Sequence, residues 1–152
     1  MASFLDAYQQ ITKFPGGKYL FNKLIGFKAP FFARIHPNVL ELKRALSVVE
    51  IKDRRSVRNH IGSVNAGAMC TLAELSGGLA LDAAIPSHLR WLPRSMTVAY
   101  LKKAKGTLIA RCEFDPQIIH EGDIVVPLEI LDPGNELVFT AEITFYISKK
   151  KK

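Results

Sequence analysis

Cysteine is scarce in this chain: Cys70 and Cys112 are the only two in 152 residues. There is no Cys-x-x-Cys pair and no ladder of cysteine spacings, which excludes a disulfide scaffold and a structural zinc site. Each cysteine sits inside an apolar run and reads as a buried thiol in a reducing compartment. Long hydrophobic runs are missing too, since no stretch approaches the roughly 18 apolar residues that cross a bilayer. The first residues lack a basic start followed by an uninterrupted apolar segment, because Asp6, Gln9 and Gln10 intervene, and Met1-Ala2-Ser3 lacks the glycine that myristoylation needs. A cytoplasmic location is therefore expected by elimination. His36, His88 and His120 show no metal-ligand spacing, so no metal is expected. A zinc finger, an aromatic RNA-binding signature and a Gly-rich phosphate loop are all absent.

What is present is core-forming material. Apolar residues make up 48% of the chain and charged residues 23%, enough to build one core without metal or disulfide staples. The length fits a single domain. The formal net charge of +7 favours anionic partners. Part of that charge is the run Lys149 to Lys152, read as a solvated tail. The rest is spread over Arg54, Arg55 and Arg58, Arg90 and Arg94, and Lys102, Lys103 and Lys105. Nucleic acid as a partner rests on charge alone and is not expected.

Along the chain, Phe4, Leu5, Tyr8 and Ile11 share a helical face, and Phe14-Pro15-Gly16-Gly17 ends that helix. A second short helix is predicted from Lys18 to Phe27, before Pro30-Phe31-Phe32. Residues 1–40 thus read as an N-terminal helical segment of the same domain. Arg44 to Lys52 reads as a strand containing Leu46, Val48 and Val49. A helix is expected from about Gly67 to Ala83. Met96, Val98 and Tyr100 alternate along one later strand, and Leu108, Ala110, Cys112 and Phe114 along the next, with a tight-turn signal at Lys105-Gly106. Ile124 to Leu131 and Leu137 to Ile147 form a further pair around Asp132-Pro133-Gly134-Asn135. Pro127 marks its strand as an edge or a bulge.

The helix at Gly67 is apolar on nearly every side and must be buried. Gly77 and Gly78 weaken it, which is tolerable where a neighbouring backbone comes close. One long helix followed by antiparallel strands predicts a sheet that curls around it. About five strands leave edges exposed, and a two-fold dimer that continues the sheet is the economical remedy.

The chemistry concentrates from Asn59 to Glu74. Small residues from Ala66 to Ala68 let a ligand approach the unpaired N–H groups at the positive end of the helix, where a carbonyl would be polarised and an oxyanion stabilised. Glu74 is the one acid in the first half of an apolar helix; a buried carboxylate needs a partner or a task, and a neighbouring subunit could bring it to another chain's helix start. Bland readings stand beside these. Glu74 could pair with an arginine, Asn65 could be an ordinary helix cap, Asn59 could stabilise a turn, and His60 could be a surface residue.

The spacing of Asn59, Gly62, Asn65, Gly67 and Glu74 resembles the motif of hotdog-fold thioesterases related to the phenylacetyl-CoA pathway enzyme. The downstream pattern, Gly122 to Pro127 and Thr140 to Ile147, resembles the DUF4442 branch, over about residues 20–148. The resemblance implies an α+β hotdog fold, with a long central helix wrapped by a curved antiparallel sheet. Residues 41–148 would be its core, carrying the N-terminal helices, and 149–152 a basic tail. It implies Glu74 as base or nucleophile, the Ala66 amide as oxyanion donor beside Gly67, and Asn59 orienting water or acid. His60, Arg58 and Arg94, with Arg55 and Arg90, are candidates to meet substrate. The family usually has His at the place of Asn65, followed by Gly, so substrate positioning differs here.

The expected function is hydrolysis of acyl-CoA or another acyl thioester, with coenzyme A only as part of the substrate and no separate cofactor. A homodimer, or a dimer of dimers, is the expected assembly. The alternative is a non-catalytic acyl-CoA or fatty-acyl binding protein of the same fold. Membrane-surface contact through the N-terminal helices is a minor third reading.

Overall fold

A computed structural model describes residues 3–151; Met1-Ala2 and Lys152, and with them parts of the myristoylation and lysine-tail readings, lie outside it. Two helices come first, α1 (Phe4–Ile11) and α2 (Gly17–Lys28). Ser3 caps α1 through a reciprocal capping box with Asp6, and the Phe4 N–H donates to the Asp82 carboxylate, tying α1 to the far end of the central helix. The predicted breaker at Phe14 to Gly17 separates the two helices.

Six antiparallel strands follow: β1 (Asn38–Lys43), β2 (Leu46–Ile51), β3 (Leu89–Tyr100), β4 (Leu108–Glu113), β5 (Gly122–Leu131) and β6 (Leu137–Lys149). Between β2 and β3 runs the central helix α3 (Ala66–Asp82). The strands order as β1-β2-β4-β5-β6-β3 in one sheet. Its inner face presents Val49, Ala110, Ile130, Ile143 and Phe145, all buried, and α3 packs across it. Complete burial of Leu72 and Leu81 contributes roughly 1.5–3 kcal/mol each.

Several local expectations change. The strand read from Arg44 to Lys52 is one arm of a hairpin: β1 and β2 meet at Arg44-Ala45, with Ala45 buried at φ 57°. Lys105-Gly106 does not join a hairpin, because β3 pairs with β6 while β4 pairs with β2 and β5. The segment carrying it is a crossover, held where the Gly106 N–H donates to Asp53 (2.9 Å) and the Ala104 carbonyl accepts from the Val64 N–H (2.8 Å). Pro127 lies in an interior strand, but one residue beyond the last β4 pair, Cys112 with Leu128, so its missing N–H interrupts no ladder. Cys112 is buried as expected; Cys70 is only half-buried, because its side of α3 looks toward an edge strand.

Gly77 and Gly78 admit side chains, not the neighbouring backbone that the sequence led us to expect. A Cβ on Gly77 would stand 2.8 Å from Ile143 Cδ1, and one on Gly78 would stand 3.0 Å from the Trp91 ring. Gly77→Val is expected to lower stability by about 1–3 kcal/mol, overpacking outweighing the gain in helix propensity. Adding Ile143→Val, which deletes the blocking methyl, should make the pair less than additive in urea unfolding. Strict additivity would show that the contact does not limit the site.

The two sheet edges are treated differently. On β1 the Val39 N–H donates to Asn22 Oδ1, while the Leu40 carbonyl accepts from Tyr8 Oη (3.1 Å) and Lys18 Nζ (3.0 Å). The N-terminal helices therefore cover that edge. Along β3 the described residues offer no such cover, and the strand pairs with β6 alone.

Candidate functional site

The loop before α3 is organised by one side chain. Asn59 Oδ1 accepts from the Ile61 and Ser63 N–H groups, both at 3.1 Å, and its Nδ2 donates to Ser63 Oγ at 2.8 Å. The Asn59 N–H donates to the Ser63 carbonyl, closing the turn through Gly62. Arg58, Asn59 and His60 are thereby held beside the start of α3, with Arg58 bridged to Val64. Asn59 does stabilise a turn; its second Nδ2 hydrogen has no acceptor among the described residues.

Asn65 is the N-cap of α3, its Oδ1 accepting the Gly67 N–H at 2.7 Å. Its own N–H donates to the Val57 carbonyl at 2.7 Å, which fixes the helix entry. The cap reading is correct, and it uses the Gly67 amide. The N–H groups of Ala66 and Ala68 have no acceptor among the described residues, and Ala66 is exposed. One helix end thus offers two free donors at its positive pole.

Glu74 is half-buried, and no ion pair or hydrogen bond holds its carboxylate among the described residues. Its surroundings follow from helix spacing. Cys70 and Gly78, four residues to either side, share its face. Cys70 Sγ lies 3.2 Å from Tyr100 Oη, and Gly78 packs under Trp91. Glu74 therefore looks at the stretch of β3 between Trp91 and Tyr100, where half-buried Met96 and Val98 face inward.

Glu74 and Ala66 are eight residues apart in one helix, a rise of about 12 Å. A carbonyl held by the Ala66 amide is out of reach of the same chain's Glu74. The loop end brings Arg58, Asn59, His60, Asn65, Ala66 and Gly67 together, with Glu74 about two turns away.

Arg94 belongs to neither group. It sits on the outer face of the sheet, its Nη1 donating to both carboxylate oxygens of Asp123 (2.9 and 3.0 Å) and its guanidinium 4.5 Å above the Tyr146 ring. Cys70 and Tyr100 were not singled out from sequence; the four-residue spacing from Cys70 to Glu74 was the available signal. The Cys70 hydrogen bond, with burial, holds the Tyr100 phenol above its ordinary value. Burial pushes the Cys112 thiol up to about 12, which leaves it protonated at neutral pH. No group of three His, Cys, Asp or Glu able to hold a metal occurs among the described residues.

A long helix embraced by a six-stranded antiparallel sheet, with small residues and an asparagine cap at its start, defines a hotdog fold. Residues 17–147 match the family described as a domain of unknown function, DUF4442, and the chain belongs to that family. Among solved structures it is similar to the structural-genomics protein APC5556, with 40% identity, TM-score 0.86, and 97% of this chain and 99% of that one covered. PA5026 from Pseudomonas aeruginosa, a probable thioesterase, is 23% identical at TM-score 0.79, covering 90% of this chain and 97% of its own. The thioesterase HI1161 from Haemophilus influenzae is 14% identical at TM-score 0.75, with 87% and 90% covered. None of the curated proteins matches the chain.

Asp53 fastens this end of the molecule. Its carboxylate accepts from Arg58 Nε at 2.7 Å and from the Gly106 N–H, and these bonds, the arginine's first, hold its pKa below the ordinary value. A depressed carboxylate stabilises the fold fully above its unfolded pKa, and that stabilisation fades as pH falls through the folded one. Asp53→Asn is expected to lower the melting temperature at pH 7. The gap to wild type should narrow once pH drops below about 4. A gap that stays constant down to acid pH would remove ionised Asp53 from the explanation.

Proposed function

We propose that this chain is an acyl-thioester hydrolase, acting on acyl-CoA or a close analogue, whose two sites form between the subunits of a dimer. The observation that carries the proposal is that one chain holds both an unpartnered, half-buried carboxylate and free helix-start amides, too far apart to meet within it. A second copy docking its β3 against the open β3 edge would continue the sheet and bring two α3 helices side by side. Pro93 and the bulge between Pro93 and Ser95 limit the contact to residues 95–100. A dimer of dimers would form on other faces.

In this site the Ala66 amide of one subunit polarises the thioester carbonyl, and Glu74 of the other takes a proton from water as its oxygen attacks the carbonyl carbon. The carbon–sulfur bond then breaks and the proton passes to the departing thiolate. Attack by the Glu74 carboxylate itself, followed by hydrolysis of the anhydride, balances equally. Asn59 has one amide hydrogen left to orient water. His60 lies at the rim, while Gly67 gives the substrate room to approach. The coenzyme phosphates would meet Arg58, which already pairs with Asp53, or Arg55, which carries no ion pair among the described residues, whereas Arg94 on the outer face is held by Asp123 and takes no part. Two solved structures of the same fold bear the name thioesterase, which supports the reaction class. The second reading, a binding protein without turnover, is favoured by Asn65, whose side-chain oxygen is committed to the cap.

Thiol release from a panel of short, long and aromatic acyl-CoAs tests this. Glu74→Gln should cut release on the order of a hundredfold or more. Ala66→Pro should do likewise while the protein stays folded, because proline is well tolerated at the first helical position and Asn65 already has an extended ψ of 139°. Co-refolding the two variants at equal amounts should recover about a quarter of wild-type activity, since half the dimers then hold one intact site. No recovery would sink the shared site. Binding of an acyl-CoA by wild type with no thiol release would establish the binding protein instead.

A further inference from the structure

The N-terminal helices leave one face unused. From Ala7 through Leu40 the chain contains no Asp or Glu, yet it carries Lys13, Lys18, Lys23, Lys28 and Arg34. Phe21 and Ile25 turn the inner side of α2 into the core. The outer side gathers Tyr19, Leu20, Lys23 and Phe27 within an arc of about 100°. Their exposure decides the matter: Phe27 is 85% exposed, Tyr19 68% and Leu20 58%, and Phe14 (71%) and Phe31 (64%) flank the helix. Single exposed apolar residues need no explanation, but a row of them on one helix does. Between Ile11, Phe14 and Leu20 lies a hollow of about 470 Å³. On the other flank Tyr19 and Lys23 join His36, Lys52 and Arg54 around a cavity of about 510 Å³ whose one acid, Glu50, accepts a hydrogen bond from Asn38.

We propose that this face docks on an anionic lipid bilayer, with Leu20, Phe27 and Phe31 entering the acyl boundary while Lys23, beside Tyr19, and Lys13, next to Phe14, meet lipid phosphates. Charge selects this occupant. A second copy packed on the same face would set these lysines against their own counterparts, with no carboxylate from Ala7 to Leu40 to offset them. A bilayer surface supplies both the apolar layer and the negative charge, the combination to which a basic, aromatic-bearing amphipathic helix is suited. No helix among the described residues is long and apolar enough to cross a membrane, so the contact lies in the plane of the surface. It rests on no reading of Glu74.

Co-sedimentation of the full chain with vesicles of phosphatidylcholine, alone or mixed with phosphatidylglycerol, tests the proposal. Wild type should pellet with the mixed vesicles and release as salt is raised. Two double variants, Leu20→Ser/Phe27→Ser and Lys13→Glu/Lys23→Glu, should each lower partition at least about tenfold. Circular dichroism would confirm that these surface changes leave the fold intact. Failure of wild type to bind anionic vesicles overturns the proposal. So does loss of binding in the lysine variant alone, which would mean adsorption by charge without insertion. A patch variant that lowers the oligomer mass in solution while leaving vesicle binding unchanged would assign the face to a second copy.

Discussion

The molecule depends on how the backbone groups of a six-stranded sheet are satisfied. Each interior strand has partners on both sides, but each outer strand exposes a row of donors and acceptors. On β1 that row is closed by side chains from α1 and α2: Asn22 accepts from Val39, and Tyr8 and Lys18 donate to Leu40. This gives the N-terminal helices a structural task that does not depend on any ligand. It also leaves the sheet asymmetric, because β3 has nothing equivalent. Association through an open edge is cheaper than through a blocked one, so the N-terminal helices decide indirectly where a second chain can add.

The same asymmetry sets the environment of α3. Over β2, β4 and β5 the helix meets completely buried side chains, and Ser47 Oγ donates to the Ser76 carbonyl at 2.7 Å across that packed interface. Toward β3 the packing loosens. Cys70, Glu74 and Gly78 face a strand that belongs to the sheet by one ladder only. Away from its last turn, where Asp82 meets α1, the helix tolerates a charged side chain on this side, which is a physical reason for Glu74 to sit where it does. The Cys70–Tyr100 contact lies on the same side of the helix, one turn nearer its start.

Much of this was legible in the residues because local chemistry carried it. The run of small and apolar residues after Asn65 specified a buried helix and its cap, and α3 begins one residue before the expected Gly67. The turn at Asp132 to Asn135 has the residues its geometry demands. The β1–β2 turn was hidden for the opposite reason. Ala45 adopts a left-handed conformation that alanine does not advertise, and no Gly, Asn or Pro punctuates the run from Val39 to Val49. Strand order was equally out of reach. Nothing local to Lys105-Gly106 says that β3 and β4 part company, since the choice is made by β6 pairing on one side and by Asp53 holding the crossover on the other. The half-burial of Glu74 and Cys70 depends on that same long-range choice.

Asn65 shows why motif and mechanism separate. Its side chain caps the helix by accepting the Gly67 N–H, so that oxygen is occupied whenever the helix is formed. Its Nδ2 group makes no hydrogen bond among the described residues and remains a donor, which in the proposed site would stand beside the Ala66 amide. Backbone donors do not discriminate between acyl groups, because they read only the carbonyl. In the proposed site, selectivity would then come from the side chains between α3 and β3, namely Trp91, Met96, Val98 and Tyr100. On the proposed function, helix geometry would fix the thioester end of a substrate, and these four β3 side chains would set its chain length. That division would let the one tolerate variation while the other stays constant.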